Sequence, residues 1–270
     1  MALSDVTLGI IGAGSMGGAI ASGLVEAGAM EPSSILVAGH GAEKLAALAE
    51  RGIRTFADDG EMLGCGPDVV ILAVKPQVLP GVMTEYAELL AGRLAISIAA
   101  GTPIATIEAA LPGARVVRVM PNLCVQVLSG ASAIAGGPTA SAEDVELARQ
   151  IFSALGSAAV MREDQLEVEG AVVGTAPAFY AIFIDMLTRA GVKAGMPAAA
   201  CRELLEATMR GTATQLLESG EHPRAYAEKV TSPGGTTAAG LFELEPRLFD
   251  GSFAAVDAAL ARAAELAQNK

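Results

Sequence analysis

Ser232-Pro233-Gly234-Gly235-Thr236-Thr237 places a flexible, hydroxyl-bearing turn directly ahead of an apolar stretch with helical character. Such a turn suits a carboxylate. Two adjacent glycines let backbone N–H groups converge on one point, a helix start adds partial positive charge, and the Ser232, Thr236 and Thr237 hydroxyls are further donors. Alone, the pattern fits an ordinary helix cap equally well. A second glycine-rich segment, Gly12-Ala13-Gly14-Ser15-Met16-Gly17, stands near the other end, after an apolar run at residues 6–11 and before a helical stretch at residues 19–27. That is the context a dinucleotide-binding turn requires. Gly12 would allow the tight turn, Gly14 the approach of a pyrophosphate to the backbone, and Gly17 the close packing of helix on strand.

Both segments need elements to hold them. Short apolar runs at residues 35–38, 69–74, 94–99, 115–119 and 132–135 alternate with helical stretches at 42–51, 77–91, 103–110 and 142–155. The alternation predicts a parallel, doubly wound sheet, whose ligands would lie beyond the carboxyl ends of its strands. Past Met161 the pattern changes to long helical periodicity over residues 164–190, 197–219 and 249–268. The expected architecture is an α/β Rossmann-like dinucleotide-binding domain over residues 1–160, followed by an all-α domain over residues 161–270 that binds substrate and dimerises. These helices hold more apolar surface than a bundle of about 110 residues buries alone, which is the reason to expect a partner copy.

Composition narrows the function classes. A formal charge of -12 with only 18 Lys and Arg argues against nucleic acid or an anionic membrane as partner. Hydrophobic residues make up 52% of the chain, enough for a substantial core. The three cysteines, Cys65, Cys124 and Cys201, form no CxxC pair, so neither a disulfide framework nor a metal site is expected; they read as small buried hydrophobes in a reducing cytoplasm. No signal peptide is expected ahead of Asp5, because a basic leader is missing there. Residues 168–187 approach the length of a membrane span but include Glu169, Pro177 and Asp185, and are expected to form a buried core or interface helix.

Further blocks lie between the two ends. Leu72-Ala73-Val74-Lys75-Pro76-Gln77, Ser97-Ile98-Ala99-Ala100-Gly101 and Arg118-Val119-Met120-Pro121-Asn122 follow the first glycine-rich turn, and Val230 to Thr237 is followed by Gly240-Leu241 and Leu244-Glu245. In this order, nearly end to end, they resemble the pyrroline-5-carboxylate reductase family. The resemblance implies reduction of the cyclic imine 1-pyrroline-5-carboxylate to L-proline, as in proline biosynthesis, by hydride from NADPH or NADH. It further implies that Thr237 hydrogen-bonds the imine nitrogen, while Ser232, Gly234, Gly235 and Thr236 hold the substrate carboxylate. Gly12 to Gly17, Gly39, His40, Ala73 to Pro76, Ile98 to Ala100 and Asn122 would contact the cofactor. Asn122 reads equally as a turn residue after Pro121. A homodimer through the C-terminal helices is implied, and members of the family also assemble dimers into larger rings.

The chemistry agrees with one absence. Of two histidines, His40 and His222, neither falls in a block expected near the nicotinamide. Oxidising a hydroxyl group calls for a general base, whereas reducing a preformed iminium does not. A β-hydroxyacid dehydrogenase would share the two-domain plan, but residues 174–185 lack the lysine that class requires. A non-catalytic cofactor-binding protein would have no use for Ser232 and Thr237 beside an intact Gly-Gly turn.

Several positions depart from the family pattern. Gly39-His40 stands where Asn-Arg commonly grips an adenosine 2′-phosphate, and no Asp or Glu lies between Pro32 and Ala42 to take free ribose hydroxyls. On that balance NADPH is slightly favoured, with His40 a weak phosphate contact. Thr175, Ala176 and Phe179 replace Ser, Gly and Tyr, and Leu123-Cys124 displaces Thr-Pro. These changes allow a related cyclic imine as substrate.

Overall fold

The computed structural model describes residues 3–268. By backbone contacts the chain divides into two units, Met1–Thr175 with Leu260–Lys270, and Ala176–Ala259.

In the first unit, β1 (Leu8–Ile11), β2 (Ile35–Ala38), β3 (Arg54–Phe56), β4 (Val69–Leu72), β5 (Leu94–Ser97), β6 (Arg115–Pro121), β7 (Gly130–Gly136) and β8 (Gly156–Val160) form one sheet, ordered β3-β2-β1-β4-β5-β6-β7-β8. β1, β2, β4 and β5 are buried at every residue, so they read as unbroken apolar runs rather than alternating ones. Around them lie α1 (Ser15–Glu26), α2 (Ala42–Ala49), α3 (Asp59–Gly64), α4 (Leu79–Leu90), α5 (Ile104–Ala110) and α6 (Ala142–Ser153). Ile35 and Val37 fall in one apolar cluster, Leu36 and Ala38 in another, which puts a core on each face of the sheet.

Three features differ from expectation. β7 runs antiparallel to β6. Only residues 122–129 separate them, too few for the crossover that parallel neighbours need, so the sheet is not wholly parallel. β3 and β8 were not expected, since one has three residues and the other consists of small, partly exposed ones at the sheet edge, giving no periodic signal. Finally, β4 ends at Leu72 and β5 at Ser97, so Ala73 to Pro76 and Ile98 to Ala100 lie in loops beyond the carboxyl ends.

The helix expected over 164–190 is interrupted. α7 (Glu163–Glu169) runs into a π-helical turn, Gly170–Gly174, before α8 (Ala176–Lys193) begins with Pro177 in its first turn, where a missing N–H is tolerated. In the second unit, α8 and α9 (Ala198–Ser219) pack closely enough that a Cβ on Gly191 would stand 2.5 Å from Cys201 Sγ. α10 (Pro223–Lys229) follows, and then α11 (Thr236–Gln268), which begins before the expected residue 249, passes through Pro246 and from Leu260 onward is counted with the first unit.

Burial corrects two further expectations. Cys201 is buried, but Cys124 is half-buried and Cys65 is exposed beside α3. The stretch Glu163–Lys193 is long and apolar enough to cross a membrane, and its apolar window is only 6% buried within the chain, so of the two expected alternatives, core or interface helix, the core one is excluded. Tyr180, Ile182, Leu217, Phe242, Phe249 and Phe253 are each more than half exposed.

Candidate active site

The first glycine-rich turn joins β1 to α1. Gly12 has φ 111°, and a Cβ there would stand 2.6 Å from the Ala73 carbonyl oxygen, so both backbone and space demand glycine. At Gly17 a Cβ would fall 2.0 Å from the Gly12 carbonyl oxygen, which is the close helix–strand packing the spacing implied. Gly14 differs from both. Its φ of -70° suits any residue, and a Cβ would meet nothing within 4 Å. Neither the backbone nor packing calls for glycine there, whereas a pyrophosphate seated on the N-terminus of α1 would. Gly14 is the N-cap and offers no side chain, and the first turn of α1 holds no acidic residue, so the N–H groups and the positive end of the helix face outward unopposed.

A cavity of about 610 Å3 opens beside this turn. Gly12, Ala13 and Gly14 border it together with Gly39 and His40 after β2 and with Ala73, Val74 and Lys75 after β4. Pro76, Ile98, Ala99, Ala100 and Asn122 do not border it; the last four follow β5 and β6 further along the same edge of the sheet. Gly39 has a structural reason that the sequence concealed. A Cβ on it would stand 2.8 Å from Ala13 N and 2.9 Å from Ala13 Cβ, so the end of β2 presses directly on the glycine-rich turn. His40, next along, is exposed. Lys75 is exposed too, and its carbonyl accepts from Val78 N and Leu79 N at the start of α4.

Asn122 is 7% exposed and its side chain is engaged by the fold. Its Oδ1 accepts from Cys124 N at 3.1 Å and Ala131 N at 3.2 Å, and its Nδ2 donates to the Val173 carbonyl at 3.4 Å. It thereby ties the end of β6 to the start of β7 and to the π-helical turn. Thr175 is likewise engaged, donating to the Ala171 carbonyl at 2.6 Å. At the head of that π turn, Glu169 escaped the sequence reasoning as a candidate group. Burial pushes its carboxyl up to about 7, and among the described residues its Oε2 has no hydrogen-bond partner.

The second glycine-rich turn belongs to the helical unit. Gly235 N donates to the Ser232 carbonyl at 3.0 Å, and Gly234 sits at φ 68°. A Cβ on Gly235 would come within 2.3 Å of Ser232 Oγ, so this glycine leaves room for the hydroxyl. α11 starts at Thr236, and its first turn contains no acidic residue. Among the described residues, the hydroxyls of Ser232, Thr236 and Thr237 have no hydrogen-bond partner. Elsewhere the helical threonines Thr188, Thr208 and Thr214 donate back to the carbonyl four residues earlier. Thr236 and Thr237 lie too near the start of their helix for that, so the turn presents three hydroxyls and a row of helix-start N–H groups free to meet an anion.

Known proteins share this arrangement of sequence and fold. Residues 163–266 match the family described as pyrroline-5-carboxylate reductase dimerisation. The chain is 40% identical to a pyrroline-5-carboxylate reductase of Methanosarcina acetivorans over 90% of its own length and 91% of the relative's. The chain belongs to the pyrroline-5-carboxylate reductase family. Residues 7–101 also match the family described as NADP oxidoreductase, coenzyme F420-dependent. Among solved structures, a pyrroline-5-carboxylate reductase from Coxiella burnetii superposes with a TM-score of 0.91 at 32% identity, covering 97% of this chain and 98% of that one. The Plasmodium falciparum pyrroline carboxylate reductase, solved with NADP bound, gives 0.84 at 26% identity over 96% and 97%. Family membership makes this chain an oxidoreductase with a nicotinamide-cofactor-binding Rossmann-type fold and a dimerisation domain.

Proposed function

We propose that this protein reduces 1-pyrroline-5-carboxylate to L-proline in the cytoplasm, as a biosynthetic step, with NADPH or NADH as reductant. The Ser232 to Thr237 turn supports this reading most directly, because its three unpartnered hydroxyls and two glycines suit a small substrate bearing one carboxylate beside an imine. The Gly12 to Gly17 turn would hold the cofactor by its pyrophosphate, and the reduced nicotinamide, when bound, would supply a hydride to the C=N carbon. Ser232, Gly234, Gly235 and Thr236 hold the substrate carboxylate with hydroxyl and backbone donors, which fixes the ring in one orientation. The Thr237 hydroxyl donates to the lone pair of the neutral imine nitrogen, drawing electron density from the C=N carbon, and as the hydride adds to carbon the nitrogen takes the hydroxyl proton, which solvent water restores, leaving the amine. Ala73 to Pro76 and Ile98 to Ala100 line the cofactor path from the ends of β4 and β5. Asn122 supports the nicotinamide end by holding the β6–β7 turn in place.

Residues 1–160 form the dinucleotide-binding domain in this reading, and residues 161–270 the substrate-binding and dimerisation domain. The exposed aromatic and aliphatic side chains of α8, α9 and α11 give the second domain an apolar surface suited to a homodimer interface. The test is oxidation of NADPH and, separately, NADH by the purified protein with 1-pyrroline-5-carboxylate, followed together with proline formation. Turnover supports the reading. A folded protein that binds NADPH but turns over with neither cofactor would overturn it.

A further inference from the structure

Residues 32–42 contain no carboxylate, but the cavity gathers charges from three other places. Asp58 and Asp59 come from the start of α3, Glu85 and Tyr86 from α4, and Lys44 from α2; all border the same 610 Å3 space as His40. In a Rossmann fold the adenosine ribose lies just past the carboxyl end of β2, which here is Gly39-His40. A 2′-phosphate would therefore enter a space bordered by Asp59, Glu85 and Asp58, the last of which also caps α3 by accepting from Glu61 N at 2.8 Å.

Two groups register that field. Asp59 is held above the ordinary carboxylate range, first by burial and then by the neighbouring Asp58 and Glu85, with His40 acting in the opposite sense. The Tyr86 phenol is pushed up to about 12, by burial first and then by Glu85 with Asp58 and Asp59. Opposing charge is limited. Lys75 borders the space beside Ala73 and Val74, at the glycine-rich turn. The Lys44 stem folds back over Gly41, its Cδ 3.6 Å from where a Cβ of Gly41 would be, and Lys44 also borders the separate cavity between α1 and α2.

We infer that Asp59 and Glu85, set against His40 and Lys44, are specificity-determining residues that select the cofactor lacking a 2′-phosphate, so that the protein favours NADH. Electrostatic selection of this kind works by penalising the wrong ligand: a phosphate dianion meets like charge, whereas free ribose hydroxyls find acceptors. The sequence lean toward NADPH is reversed here because acids distant in the chain converge on the site. This inference rests on the reading of the cavity as the cofactor site.

The experiment measures dissociation constants of NADH and NADPH for the full-length protein, for Asp59→Asn, Glu85→Gln and the double variant, and for Lys44→Ala, at low and high salt. Wild type is expected to bind NADH at least about tenfold more tightly at low salt, and the double variant to narrow that ratio by about tenfold. Lys44→Ala should widen it, and added salt should narrow it for wild type. A wild-type preference for NADPH, or a ratio unchanged within about twofold in the double variant, would overturn the inference while leaving the cavity assignment intact. If the folded wild type binds neither cofactor, the cavity assignment fails and the inference with it.

Discussion

The two glycine-rich turns look alike in sequence and differ in how the fold holds them. Around Gly12 and Gly17 the backbone is locked by contacts that exclude any side chain, and Gly39 presses on the same turn from β2. Around Gly234 the turn lies open, and a Cβ there would meet nothing within 4 Å. The first turn is made by the packing of its own sheet. The second is a set of donors held by one helix start, in a unit whose apolar side chains remain largely exposed. Shape at the first turn is thus enforced by packing, while the second turn presents hydroxyls and helix-start N–H groups in open space.

Substitution separates the two modes most sharply at the glycines. Gly17→Val should abolish folding of the first unit, since the added atoms would overlap backbone that cannot move; loss of soluble protein or of cooperative melting is the readout. Gly14→Val should instead leave the melting transition in place and remove cofactor binding, because the side chain fills space that a pyrophosphate needs. If Gly14→Val binds NADH or NADPH as wild type does, Gly14 does not face the cofactor. In the open turn, Thr237→Ala should fold normally and lower kcat by about 10²-fold, comparable to the removal of one oxyanion donor. An unchanged kcat would take Thr237 out of the mechanism.

A smaller effect belongs to Glu169. With its carboxyl raised from 4.5 to about 7, the folded state keeps a proton that the unfolded chain has lost between those values. Stability from this group is therefore complete below about pH 4.5, falls as the pH rises through that window, and is lost above about 7. Glu169→Gln should gain on wild type as the pH is raised from 5 to 8, by about 2–4 °C in Tm, after allowance for screening of a half-exposed group. A difference between variant and wild type that is flat with pH would show that Glu169 ionises normally.

Much of the first turn was legible in the sequence, because strand, glycine spacing and helix are consecutive, although the Ala73 and Gly39 contacts that lock it come from elsewhere in the chain. Gly14 in particular combines a motif position with a structural freedom that packing does not explain. The turn that carries Ser232 and Thr237 was legible for the same reason, lying within consecutive residues. The second role of Asn122 was not, since its partners at Ala131 and Val173 are distant in the chain. Gly39 read as a departure from a pattern, and only its proximity to Ala13 shows what it does. The antiparallel β7 could have been anticipated from the shortness of the connection after Asn122, whereas the edge strands β3 and β8 lack any period to detect.

By itself, the sequence determined the alternation that builds the Rossmann sheet, both glycine-rich turns, the helical second half and the family, because each depends on residues adjacent in the chain. Tertiary structure alone decided which charges stand around the cavity beside the first turn, that Glu169 Oε2 has no hydrogen-bond partner among the described residues, and that Cys65 is exposed while Cys201 is buried. Those properties are set by burial and by encounters between distant segments, and electrostatics acts through space rather than along the chain.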